Sequence, residues 1–95
     1  MKNIVINNVE YEVVENVNDA IDEEVLKEKI TDYFDPFDYV VGDWAYGKLR
    51  LKGFYKENNK KVTKINNIKN LKKYIEDYCA YGCKYFVILK KNEGK

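Results

Sequence analysis

Residues 3–6 and 9–14 read NIVI and VEYEVV, with Asn7-Asn8 between them. Apolar and polar positions alternate in both runs, which predicts two half-buried strands. Asparagine tolerates the left-handed backbone, so the pair between them reads as a two-residue hairpin turn. The period then changes. In NDAIDEEVLKEKITDYF the residues Ile21, Val25, Leu26, Ile30, Tyr33 and Phe34 recur at helical spacing. Asn18 or Asp19 can cap this helix, and Asp22, Glu23 and Glu24 lie where the helix dipole favours negative charge. Pro36, within Asp35-Pro36-Phe37-Asp38, stops it.

Period two returns at VVGDWAYGKLRLKGFY. Residues 38–41 and 48–56 flank Gly-Asp-Trp-Ala-Tyr-Gly, a segment that reads as a special turn in which Gly42 and Gly47 take up unusual backbone angles. On the second arm Leu49, Leu51 and Tyr55 point one way, and Lys48, Arg50, Lys52 and Phe54 the other. Asn58-Asn59 predicts another turn, and 61–65 a short returning strand. NNIKNLKKYIEDYCAYG then reads as a second helix. Its stripe is Ile68, Leu71, Ile75, Tyr78 and Cys79, while Lys69, Lys72, Lys73, Glu76 and Asp77 face water. Gly82 fits the left-handed residue that ends a helix, leaving Cys83 to pack back on Tyr78. The unbroken apolar run within 83–89 suits a central strand buried on both faces. The expected order is ββαβββαβ, an α+β fold with a mainly antiparallel sheet covered by two helices.

Length and composition narrow this further. A chain of 95 residues makes one domain, 1–95. A domain of this size buries roughly 60–65% of its unfolded surface and needs a dense core. The 45% hydrophobic and 15% aromatic content supplies one. No run approaches the roughly 18 apolar residues of a membrane span, and MKNIVINNVEYEV has no signal-peptide core. A soluble, cytoplasmic protein is expected. Asn, Lys, Ile and Tyr are the abundant types that AT-rich codons produce, so tyrosine content alone is no sign of binding. The chain has no His, Ser or Gln, which removes Ser-His and Cys-His catalysis, His-ligated metals and an ordinary histidine switch. Net charge is +1, but residues 1–46 hold 12 acids and 3 bases, and residues 47–95 hold 14 bases and 4 acids. Either the halves pair their charges across the surface, or the second half presents a basic face.

The phrases FDPFDYVVGDWAYGKLRLKGFY and YIEDYCAYGCKYFVILKK resemble the YutD-like family, small domains of low-GC Gram-positive bacteria. The likeness covers Tyr33 to Lys91, about two-thirds of the chain, and the Gly-Asp-Trp hairpin and Cys-Ala-Tyr-Gly-Cys are its distinctive parts. It implies a bacterial, cytoplasmic setting and brings no catalytic or binding residues with it.

Three chemistries remain to be weighed. Cys79 and Cys83 are too few for a zinc site unless it is shared across a dimer, are not spaced as Cys-x-x-Cys, and would be unusual as a disulfide in a reducing cytosol, so they read as two buried thiols around a helix end. Asp32, Asp35, Asp38 and Asp43 could hold Mg²⁺ or serve as acid and base, making a metal-assisted enzyme the third-ranked reading. Nothing else marks a phosphoryl or glycosyl site, and aspartates beside Pro36 and Gly42 are common turn formers. The strand and helix order from Val9 to Leu89 is that of the RNA-recognition fold, and Lys52-Gly53-Phe54-Tyr55 begins like its base-stacking signature. The match fails at Tyr55, Lys56 and Val5. A generic basic-aromatic face survives: Lys48, Arg50 and Lys52 for phosphates, Phe54 or Trp44 for bases. The alternative is a protein-binding hairpin with Trp44 and Tyr46 as anchors. The expectation is a non-enzymatic binding module without metal or cofactor, leaning towards a nucleic-acid or ribonucleoprotein partner over a protein one.

Overall fold

The structure, a computed structural model, describes residues 2–78 and 83–91. Its elements run β1 (Asn3–Ile6), β2 (Val9–Val17), α1 (Glu23–Lys29), β3 (Tyr39–Ala45), β4 (Lys48–Phe54), α2 (Leu71–Tyr78) and β5 (Tyr85–Lys90). Short 3-10 turns occupy Asp32–Phe34 and Ile68–Asn70. The strands form one sheet in the order β1-β2-β5-β3-β4, and every neighbouring pair is antiparallel. The α+β class, the antiparallel sheet and the two helices follow the sequence pattern.

Alternation along the strands decides which side chains meet which helix. Val40, Phe86 and Ile88 join Ile4, Ile6, Tyr11 and Leu49 in a cluster under α1, to which the helix contributes Leu26 and its C-cap residue Ile30. Their neighbours Val41, Val87 and Phe54 point the other way, under Leu71, Tyr74 and Ile75 of α2. The helices therefore cover opposite faces of the sheet. Phe86, Val87 and Ile88 are all buried, so β5 is the central strand that its unbroken apolar run predicts.

Asn7 and Asn8 take φ of 52° and 70°, the two left-handed residues of a tight hairpin turn. Asn7 does more than turn the chain. Its side-chain amide donates to the carbonyls of Lys27 and Ile30, tying the end of α1 to the β1–β2 turn.

Two elements differ from the expectation. The first helix is shorter than its apolar period. Asn18 and Asp19 are left-handed, at φ 59° and 55°, and Asn16 Oδ1 accepts from the Ala20 and Ile21 amides. This polar turn delays the helix until Asp22, whose carboxylate accepts from the Val25 amide. Thr31 then caps the separate turn Asp32–Phe34, which leaves Tyr33 exposed. The strand expected over 61–65 does not form. The segment is held by local bonds, Lys61 N to Asn59 Oδ1 at 2.8 Å and Thr63 N to Asn66 Oδ1 at 2.6 Å. These side chains satisfy the backbone groups that a ladder would use. The expected end of the second helix, at Cys79 and Gly82, lies outside the described residues.

Tyr11 is buried in the α1 cluster, and burial, then the nearby Asp35 charge, raise its phenol pKa above the ordinary 10.0. The unfolded chain thus loses this proton first as pH rises. Tyr11 should contribute its full stability below about pH 10 and lose it as pH climbs towards the raised folded value. Tyr11→Phe should flatten the alkaline fall in urea midpoint between about pH 9 and 11. An unchanged pH profile in that variant would remove Tyr11 as its cause.

Candidate functional site

The Gly-Asp-Trp-Ala-Tyr-Gly segment is mostly strand. Gly42 to Ala45 pair with Leu51 to Lys48, and the turn itself is Tyr46-Gly47 at φ 55° and 76°. Gly47 serves the turn, as expected. Gly42 does not: it lies opposite Phe86 on β5, whose ring occupies the space a Cβ would need. Gly53 makes the same room for Phe37.

The two candidate anchors of this hairpin have opposite fates. Trp44 packs against the α1 cluster, and its indole N–H donates to the Ala20 carbonyl at 2.8 Å. Lys84 Nζ sits 5.2 Å from its ring centroid. The ring is therefore structural, fastening β3 to the segment that leads into α1. Tyr46, at the tip, is fully exposed.

Asp43 is not a turn residue. It is 2% exposed, mid-strand, and pairs with Arg50 across the β3–β4 ladder at 2.5 Å. The hydrogen bond to Asp43 and then its charge raise the Arg50 pKa above its already high ordinary value. The position of Arg50 is fixed from below by a buried carboxylate, while its side chain stays about half exposed.

The predicted basic-aromatic ribbon keeps its cations and loses its ring. Lys48, Arg50 and Lys52 share one side of β4. Phe54 shares it too but is fully buried, edge-on to Tyr74 at 5.5 Å between ring centroids. It can stack on no base. Lys52 Nζ lies 5.3 Å from the centre of the Phe54 ring and 5.9 Å from that of Tyr74. Moreover, α2 occupies the sheet face on which such a strand would display its rings.

The aspartates do not converge. Asp38 accepts from the Lys56 amide at 2.8 Å and the Asn59 side chain at 3.0 Å, and Asp43 is committed to Arg50. Asp32 and Asp35 belong to the exposed turn before β3. Among the described residues no group of three acids, cysteines or histidines could hold a metal. Cys83 is half-buried and disulfide-bonded rather than a thiol, and Cys79 lies outside the described residues.

The two charge halves interleave in the sheet, since β5 of the second half lies between β2 and β3 of the first. Of the ion pairs among the described residues, Asp43–Arg50 joins the two halves; Lys27–Glu24, Lys69–Glu57 and Lys73–Asp77 each lie within one. Uncharged β1 forms one edge with acidic β2 beside it, and basic β4 forms the other edge. Sequence reasoning missed Tyr74, which roofs Phe54 and Lys52. Its signal was present: Tyr74 follows Leu71 by three residues and belongs to the same helical stripe.

Comparison with known proteins gives a consistent result. A family model described as "Putative antitoxin YutD-like" matches residues 5–89. The chain is 47% identical over 85 residues to the Bacillus subtilis (strain 168) protein named "Putative antitoxin YutD", covering 90% of this chain and 93% of that one. It is also similar to the solution NMR structure of yutD from B. subtilis, with a TM-score of 0.79 and 43% identity over 97% of this chain and 84% of that one.

Proposed function

Since the chain belongs to the YutD-like family, we propose that it is a non-enzymatic protein-binding module of the antitoxin type, acting in the cytoplasm as one domain over 1–95. Tyr46 carries this reading. A tyrosine at φ 55° occupies a turn position that glycine or asparagine fills without strain. It gains nothing in return from packing, because it is fully exposed. An aromatic side chain held at a conformational cost and exposed at a hairpin tip is the composition of an interface anchor. Tyr46 and Arg50 are the residues assigned to contact the partner, with Lys48 at the rim. The family description supports a protein as that partner.

A second reading, nucleic acid, keeps the support of Lys48, Arg50 and Lys52 on one side of an edge strand. It has lost Phe54 as a stacking ring.

Tyr46→Asn separates folding from binding. Relief of strain should leave the domain as stable or raise its stability by about 0.5–1 kcal/mol in urea unfolding. Recovery of the partner from bacterial cytoplasm should fall, and nuclease should leave wild-type recovery unchanged. Loss of recovery on nuclease treatment, reproduced by K48E/R50E/K52E, would instead establish the nucleic-acid reading. Undiminished protein recovery with Tyr46→Asn would remove Tyr46 as the anchor.

A further inference from the structure

Helix α2 lies across its sheet face and leaves a depression on each side. The one towards β5 is about 430 Å³ and is bordered by Glu15, Glu76 and Tyr85, with Lys72. The one towards β4 is about 550 Å³ and is bordered by Lys52, Lys64 and Lys73, with one acid, Asp77, and with Ile65, Asn70 and Tyr74. We propose that the groove on the β4 side binds an acidic, extended polypeptide segment of a partner protein. The site does not include Tyr46 and stands independently of the hairpin reading.

Four observations carry it. First, three ammonium groups border one concave surface, and among the described residues neither Lys52 nor Lys64 has a carboxylate partner. Lys73 pairs at 3.4 Å with Asp77, the one carboxylate of the lining, which leaves the groove a net positive border. Second, the groove is built rather than incidental. Lys52 is held over the Phe54 and Tyr74 rings. The wall that carries Lys64 is pinned by the Asn70 side chain, which donates to the Lys64 carbonyl at 2.9 Å. Third, Ile65 is exposed at its edge, and beside three cations it offers an apolar contact to a side chain between acids. Fourth, the depression across α2 has two carboxylates, Glu15 and Glu76, against one cation, Lys72, and so disfavours the ligand that three lysines against one acid attract. Together they confine an acidic segment to one side of the helix. Single-stranded nucleic acid fits less well. The groove offers one ring, Tyr74, already packed edge-on to buried Phe54, whereas base binding needs successive stacking rings.

The test is amide chemical-shift mapping of the full chain. The probe is a blocked hexapeptide of alternating aspartate and leucine, titrated at low salt to about 5 mM, a range that reads weak single-segment binding. A lysine-leucine hexapeptide and hexathymidylate serve as comparisons. The proposal expects saturable shifts concentrated at Lys64, Ile65, Asn70, Lys73 and Tyr74. It expects affinity to fall by about tenfold or more in K64E/K73E and with added salt. Both lysines are exposed, and the dispersion of the same spectra reports that the variant is folded. K29E, on the opposite face, should bind as wild type. Absence of saturable shifts, shifts spread evenly over all lysines, or equal affinity in K64E/K73E would each overturn it. So would tighter binding of hexathymidylate at the same amides, which would give the groove to nucleic acid. None of these outcomes depends on whether Tyr46→Asn loses its partner.

Discussion

Gly42→Ala is expected to destabilise the domain by about 3 kcal/mol, at the upper end of overpacking costs. The added methyl would fall inside the van der Waals surface of the Phe86 ring, touching its Cζ and Cε atoms. That ring cannot step aside, because Phe86 is fully buried in the α1 cluster. Cores near crystal density transmit such an intrusion rather than absorb it. In a domain of this length the loss corresponds to a fall in Tm of about 12–20 °C. A double-mutant cycle isolates the cause. Phe86→Leu alone should cost about 1–2 kcal/mol from the volume it vacates. The double variant should be more stable than the sum of the singles by more than about 1 kcal/mol, because the vacated space takes up the new methyl. Additive costs in urea unfolding would mean that the two positions do not compete for that space.

Trp44→Ala should cost about 2–4 kcal/mol, somewhat below the range for a fully buried tryptophan because the ring is half-buried. Two things are lost together: packing against the α1 cluster, and the 2.8 Å bond from the indole to the Ala20 carbonyl. Ala20 is itself buried, so its carbonyl then has no replacement from bulk water at hand. Trp44→Phe should recover most of the packing and cost about 1 kcal/mol for the bond. Far-UV circular dichroism melts would measure both, since the variants lack the tryptophan fluorophore. If Trp44→Ala melts within a degree or two of wild type, the ring is not structural, and its claim as a partner anchor reopens. The present geometry expects the opposite: Trp44→Phe keeps any partner, and Tyr46→Asn loses it.

These residues show what a sequence discloses and what it hides. Side-chain parity along β4 was legible, because period two is set by strand geometry alone, and Leu49 and Leu51 oppose Lys48, Arg50 and Lys52 as expected. The burial of β5 was legible from the opposite signal, an unbroken apolar run that only a strand covered on both faces can hide. The fate of Phe54 was not. Its side of β4 was clear, but whether that side met water depended on where α2 docked, a contact made across about 20 residues of chain. Asp43 was misread because an aspartate after glycine resembles a turn. Only the register that sets it opposite Arg50 reveals a cross-strand pair. The early halt of helical geometry at both ends of α1 came from Asn16, Asp22 and Thr31, whose side chains compete with the backbone. Trp44 and Tyr46 are two residues apart and identical in local signal. A single turn separates a core ring from an exposed one.

The place of β5 has a consequence for synthesis on the ribosome. It is the last described strand to be made, yet it is the one through which the β1–β2 hairpin and the β3–β4 hairpin are joined. Until residues 85–90 emerge, the nascent chain holds two separate ribbons with their pairing edges and apolar faces uncovered. Completion of the sheet then waits on translation rather than on local folding, and the interval is one in which chaperone binding or mispairing competes.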